Sequence, residues 1–345
     1  FSCVNSSSWS NVWQSQLVQK IGEWSTEFGG ISTQFNAVLA LLELKAPDIT
    51  GKSLSALKSL HELKELAKAR NISFVLKSGF NERLQLIEEI ATRKEQLDEL
   101  ISKQDSSISE KLLLTAPIRE WYSKYEAAGN SWFKTVLAKW KINGQANSLG
   151  FHKFNNLSDL PTLLQAKDIA EGIIRDVTEL ENMNIWKGWS TTSEELIAVA
   201  EFARLVKAKL NEVFPLSNDP TNILILINKH FVDGRDYLDN SMLASTLGEF
   251  NSAYNKFEKV QKDLVDFNIV VSLDSNLVEL SESLAKVTKN QTKLKSWCEW
   301  NSGRADIYSV GLKTVEQALS TGVVTSSELS EQFQLAYYSW LAPLM

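Results

Sequence analysis

Apolar residues recur at three- and four-residue spacing along almost the whole chain, which is the period of a helix packed on one face. The clearest case comes first. Trp9, Trp13, Leu17, Ile21, Trp24 and Phe28 step by 4, 4, 4, 3 and 4. This predicts a helix over 9–28, ended by Gly29-Gly30, and a second helical run over 31–45. A third run is predicted over 53–70, with Leu54, Leu57, Leu60 or His61, Lys64 and Ala67 or Lys68 down one side.

Residues 80–114 carry a narrower pattern. Ile87, Ile101 and Ile108 share one seven-residue ladder with Lys94 as its polar member, and Ile90 and Leu97 share another. A long thin apolar seam between charged faces predicts a coiled-coil arm. The returning helix of that arm is expected over 158–186, where Leu163, Ile169 or Ala170, Ile173, Val177 and Leu180 repeat at helical spacing. Ser193 with Glu194-Glu195 opens a clean helical run to 214, and Pro215 follows its end. Residues 221–232 are ambiguous between strand and buried helix, and their surroundings favour helix. Further amphipathic runs cover 241–268, 275–301, 304–320 and 326–341. The fold class is therefore all-α: a helical body built from 1–79 and 187–345, with a projecting antiparallel coiled-coil arm over 80–186.

Composition narrows the classes of function. The chain has 345 residues, 43% of them hydrophobic and 23% charged, with a net charge of −6. That fits a folded protein with a large core and argues against a generally basic nucleic-acid coat, although a local basic patch remains open. Cys3 and Cys298 stand far apart, outside any paired-cysteine motif, which points to a reducing, cytoplasmic setting without a disulfide framework. No apolar run approaches the ~18 residues of a membrane-spanning helix, so no membrane partner is expected. Three scattered histidines and two cysteines offer no metal site, and no cofactor motif is present. The chain opens on Phe1, as a piece of a longer protein would.

One stretch imitates a catalytic motif. Ala46-Pro-Asp-Ile-Thr-Gly-Lys-Ser53 fits a permissive phosphate-loop pattern. Such a loop needs a preceding strand, free backbone N–H groups and flexible glycines. Here the preceding segment 35–45 reads as helix, Pro47 has no N–H, and Gly51 is the one glycine. The stretch is expected to join two helices, with Thr50 or Ser53 capping the second. Elsewhere, Glu88-Glu89 and Glu194-Glu195 are adjacent in sequence and so do not face one another on a helix. They read as solvated helix faces. His61 reads as packed or half-exposed, and Cys298 as a buried thiol. No catalytic constellation is found.

Chemical bias concentrates in 117–154. Arg119, Lys124, Lys134, Lys139, Lys141 and Lys153 oppose only Glu120 and Glu126, and eight aromatic residues from Trp121 to Phe154 are interleaved. Cations bind phosphates and exposed rings stack on bases. The candidate nucleic-acid-binding residues are Arg119, Lys124, Trp132, Lys134, Lys139, Trp140, Lys141 and Lys153. The alternative is a small aromatic core at the end of a helical hairpin, with lysines as its solvated rim.

The segment 297–341 is similar to part of the very large bacterial superfamily 1 helicase-like ATPases, many of which carry a nuclease-like domain at the far C-terminus. Trp297, Trp300, Arg304, Gly311-Leu312, Gly322, Phe333 and Trp340 occupy the places of that pattern. The arms resemble the same proteins, with an aromatic pair at the tip like Trp132-Phe133 and a return helix near a Leu-Pro like Leu160-Pro161. The ordered features span most of 80–341, whereas 1–79 matches only loosely. The resemblance implies a helical insertion beside a motor whose ATP-binding motifs lie outside this sequence. Two functions follow as expectations. One is a non-catalytic accessory module that guides DNA or RNA. The other is a coiled-coil interaction module that binds another subunit, or the rest of its own parent chain, through apolar positions such as Ile101 and Ile108.

Overall fold

The computed structural model describes residues 9–309, apart from 104–107, 130, 152–153, 155–156 and 236–237, together with isolated positions between 317 and 338. The described residues are all-α. The helices are α1 (Asn11–Leu41), α2 (Gly51–Ala69), α3 (Ser73–Leu76), α4 (Phe80–Ser102), α5 (Glu110–Thr115), α6 (Ile118–Ala128) and α7 (Trp132–Ser148). They continue as α8 (Leu160–Asp176), α9 (Thr178–Asn182), α10 (Ser193–Val213), α11 (Pro220–Ile227), α12 (Met242–Asp263), α13 (Leu277–Lys289) and α14 (Leu294–Ser309). The chain divides into two compact units. Unit 1 is Phe1–Glu65, Glu212–Leu226 and Asp236–Met345, and unit 2 is Leu66–Asn211 with Ile227–Arg235. The expected arm, 80–186, lies wholly within unit 2, which also takes in residues on either side of it.

In unit 1, α1 packs along α12. Ser10 caps α1 by accepting from the Trp13 N–H at 3.1 Å. Leu17, Ile21, Trp24 and Phe28 are buried, as their spacing predicts. Trp24 stacks on Phe28 with ring centroids 5.0 Å apart, and Phe257 of α12 closes on both rings. The helix does not stop at Gly29-Gly30. It runs on for 31 residues in all, because Ile31, Phe35, Val38 and Leu39 continue the same buried stripe. Glycine costs a helix roughly 1 kcal/mol relative to alanine, and four more buried side chains outweigh two such costs. The predicted helix over 275–301 is also divided: α13 ends at Lys289, and α14 begins at Leu294 after a short tighter turn.

The phosphate-loop lookalike is a helix start with its donors taken. Thr50 Oγ1 accepts from the Ser53 N–H at 3.1 Å, and Ser53 Oγ accepts from the Thr50 N–H at 2.9 Å. This reciprocal pair is a capping arrangement for α2. Lys52 N–H donates to the Leu273 carbonyl at 2.8 Å and Leu54 N–H to the Thr50 carbonyl at 3.0 Å. Gly51 is there for proximity: a Cβ would meet the Leu273 Cα at 3.1 Å. The N–H groups of Thr50, Lys52, Ser53 and Leu54 are thus taken up inside the fold.

In unit 2, α4 packs on α8. Arg83 reaches Glu179 at 3.9 Å, while Arg93 reaches Asp176 at 2.5 Å. Partners descend as residue number climbs, the order of an antiparallel pair. Ile87, Ile90, Lys94 and Leu97 are buried against this neighbour, and so are Leu163, Ala170, Ile173, Val177 and Leu180 on the returning side. Lys94, the polar rung, is held by Asp98 at 2.5 Å and Glu110 at 3.2 Å. The seam is shorter than its ladder suggests, because α4 ends at Ser102 and α5 starts anew at Glu110. The acidic pairs are likewise structural. Glu88 bonds Arg204, Glu89 pairs with Arg93, and Glu195 accepts from the Thr192 N–H at 3.2 Å at the start of α10.

Candidate nucleic-acid interface

The region around 117–154 forms a hairpin of α6 and α7, and the structure divides its aromatic residues into two sets. Trp121 is fully buried, with Phe151 and Phe154 packed edge-on at 5.5 and 6.0 Å. Gly129, at φ +54, turns the chain between the helices, a backbone state open mainly to glycine. Trp121 Nε1 donates to Gln145 Oε1 at 3.0 Å, which fixes the phase of α7 against α6. Asn143 accepts from the Phe154 N–H at 2.7 Å and donates to its carbonyl, so the segment leaving α7 folds back onto the helix. Gly150, at φ +92, permits that return.

With Ile142 and Ala146 turned inward, the opposite face of α7 points to solvent. Trp132 is 78% exposed, Phe133 68% and Trp140 74%, and Val136 and Leu137 lie exposed between them. At 100° per residue these five positions fill an arc of about 140° over an axial length of about 12 Å. Lys134 and Lys141 fall just beyond one edge of the arc and Lys139 just beyond the other. Lys134 and Lys141 are exposed and have no ion pair among the described residues, whereas Lys139 is half-buried. No acidic residue occurs between Glu126 and Asp159. The face is therefore apolar, aromatic and edged with positive charge.

The other candidate cations are differently placed. Arg119 donates to Asp168 and Glu171 of α8, both at 2.6 Å, so two carboxylates offset its charge. Lys124 pairs with Glu120 one turn earlier at 2.6 Å. Lys153 lies outside the described residues. Among the described residues, the spare charge of the tip thus resides on α7. The hairpin has an aromatic core inside, at Trp121, Phe151 and Phe154, and exposed aromatic rings outside, at Trp132, Phe133 and Trp140. Tyr122 belongs to the hairpin's polar side, where donation to the Glu126 carboxylate at 2.7 Å pushes its phenol above the usual range.

Sequence reasoning missed what holds this platform. Lys167 of α8 is buried and donates to the carbonyls of Leu113, Leu114 and Ala116 at 3.1, 2.9 and 2.7 Å. One ammonium thereby satisfies the end of α5 and the link into α6. The signal was a lysine on the buried phase of α8, the same sign that Lys94 gives on α4.

Further along, Trp297 and Trp300 stack at 5.2 Å, and Arg304 lies over the rings of Trp300 and Tyr308 at 5.2 and 5.1 Å. Trp297, Trp300, Arg304 and Tyr308 thus form one local cluster on α14. Gly311-Leu312, Gly322 and Trp340 lie outside the described residues. Among the described residues no group of His, Cys, Asp and Glu side chains could hold a metal ion, and no helix is long and apolar enough to cross a membrane. No protein-family model, no curated protein and no solved structure matches this chain.

Proposed function

We propose that the chain is a non-catalytic helical accessory module of a larger nucleic-acid-dependent ATPase, and that it contacts single-stranded DNA or RNA through the outer face of α7. The observation that carries this reading is the exposure of Trp132, Phe133 and Trp140 on one helix face edged by lysines. Exposed rings stack on bases of any sequence, each stack adding roughly 1–3 kcal/mol. Lys134 and Lys141 supply phosphate contacts, whose release of counterions makes binding salt-dependent. The chain's net charge of −6 would oppose contact elsewhere on its surface and favour α7.

The test is fluorescence anisotropy of a labelled single-stranded oligonucleotide against the full chain at graded salt. A log–log salt slope of about −1.4 is expected for two lysine contacts. The W132A/W140A variant should weaken binding by at least about 30-fold, the low end for two lost stacks. Binding that ignores both W132A/W140A and K134E/K141E would remove α7 from the mechanism.

A second reading has its own observation. Val136 and Leu137 sit in the middle of the face, and neither side chain stacks on bases. A protein groove that takes an amphipathic helix would use both. The apolar docking positions would then be on α7, because Ile108 is buried and Ile101 half-buried. V136S/L137S separates the readings: it should spare oligonucleotide binding and abolish capture of a protein partner.

A further inference from the structure

A second site in unit 2 is independent of α7. Residues just after α2, from α3, from the link after α9, from α10 and from the turn after α11 line a partly open cleft of about 350 Å³, in which Arg70, Asn184, Lys187 and Glu195 are exposed. That is a small-molecule volume, not a groove for a chain. Its lining is asymmetric. Phe74 and Val199 are buried and give it an apolar wall. Arg70, Lys187 and Arg235 bring three positive charges, against the single carboxylate of Glu195.

The cations differ in how they are held. Arg235 donates Nε to the Ala67 carbonyl at 3.1 Å and Nη2 to the Lys68 carbonyl at 3.3 Å. Two of its five N–H donors are so used, and the guanidinium is fixed with one edge left. Arg70 lies over the Phe202 ring at 5.6 Å. Lys187 is exposed, with no ion pair among the described residues. The backbone around them is unusual at one point. Arg235 follows a π-helical turn, Asn228–Asp233, and Gly234, where a Cβ would meet the His230 carbonyl at 3.0 Å. Such π-turns are frequent at functional sites.

We propose that this cleft binds a small organic phosphate, its dianion among Arg70, Lys187 and Arg235 and its apolar body against Phe74 and Val199. The net charge of the lining, +2 from three cations and one carboxylate, balances a phosphomonoester near neutral pH, whereas a carboxylate would leave a charge over. Two guanidinium groups suit phosphate oxygens in particular.

Calorimetric titration of the full chain tests this with AMP, inorganic phosphate and adenosine as probes. AMP should bind at one site, inorganic phosphate more weakly, and adenosine not at all. R70Q/K187Q should weaken AMP by about 30-fold or more. E195Q keeps the capping acceptor of α10 and removes the opposing charge, so it should tighten AMP by about threefold. W132A/W140A should leave the affinity unchanged, which separates this site from α7. Competition by a short oligonucleotide only when it is 5′-phosphorylated would name a nucleic-acid end as the source, and no competition by either form a free metabolite. The proposal is overturned by silence of AMP at millimolar concentration, or by a folded R70Q/K187Q that binds like the parent. A weakened E195Q would also overturn it, and equal binding of AMP and inorganic phosphate would refute the apolar half.

Discussion

Replacing Lys167 by methionine is the sharpest perturbation of the platform that presents α7. Methionine keeps most of the buried stem and removes the ammonium, so packing is nearly retained and the change falls on three carbonyls. The bonds to Leu113 and Ala116 are buried and the one to Leu114 is partly so, at 3.1, 2.7 and 2.9 Å. Each buried carbonyl left without a donor costs about 1–3 kcal/mol. The Ala116 carbonyl keeps the Ile118 N–H at 2.9 Å, so the Leu113 and Leu114 carbonyls are the two left without a donor. They give about 2–6 kcal/mol, reduced because Leu114 is only partly buried and no charge then has to be desolvated. The expected net loss is about 3 kcal/mol, or about 100-fold in the local opening equilibrium. Hydrogen exchange read by mass spectrometry locates it: peptides covering α5 and α6 should exchange about 100-fold faster, with α1 and α12 unchanged. Lys167→Arg, which restores a cation at the site, should recover part of the protection. A change below about threefold, or one spread evenly over both units, would refute the claim that one buried ammonium ties the hairpin down.

Other expectations follow from single observations. Gly29→Ala and Gly30→Ala should each stabilise by about 0.5–1 kcal/mol in urea titrations, because nothing lies within 4 Å of the added methyl and the backbone is helical. Gly51→Ala should instead destabilise by about 1–2 kcal/mol, since its methyl would press on the Leu273 backbone at 3.1 Å. Burial holds the His61 imidazole below its ordinary range, and Nδ1 is buried without a partner. The unfolded chain therefore binds this proton more readily, so its contribution to stability is complete above about pH 6.5 and is lost as pH falls through the lower folded value. His61→Gln should flatten that segment of a melting-temperature profile between neutral and mildly acid pH. W132A/W140A should leave the urea midpoint unchanged, because both rings are mostly in solvent.

Periodicity made the helical faces legible because it reports a local property. The stripe of α1 and the rungs Ile87, Ile90, Lys94 and Leu97 are buried as their spacing requires. The continuation of α1 was legible too, since Ile31 and Phe35 keep the phase of Trp24 and Phe28 across the glycine pair. Which rings of the tip face outward was not legible. Trp121 and Trp140 sit in similar surroundings of lysine and aromatic residues, and their fates are set by the Trp121–Gln145 bond and by the inward turn of Ile142 and Ala146. Nor was the neutralisation of Arg119, whose acidic partners lie about 50 residues away on α8. Charge counts within a window miss partners that folding brings from outside it.

The pairing of α1 with α12 has a consequence in time. About 200 residues separate the end of α1 from the start of α12. At a synthesis rate of about 5–20 residues per second, α1 waits roughly 10–40 s for its partner. Meanwhile almost all of unit 2, which apart from Ile227–Arg235 is one continuous stretch, has been made and is free to fold. During that interval Leu17, Ile21, Trp24 and Phe28 have no α12 to cover them, and the glycine pair weakens the helix that would at least order them. Unit 1 is thus the later of the two units to close, and its first helix spends that interval with its apolar stripe uncovered.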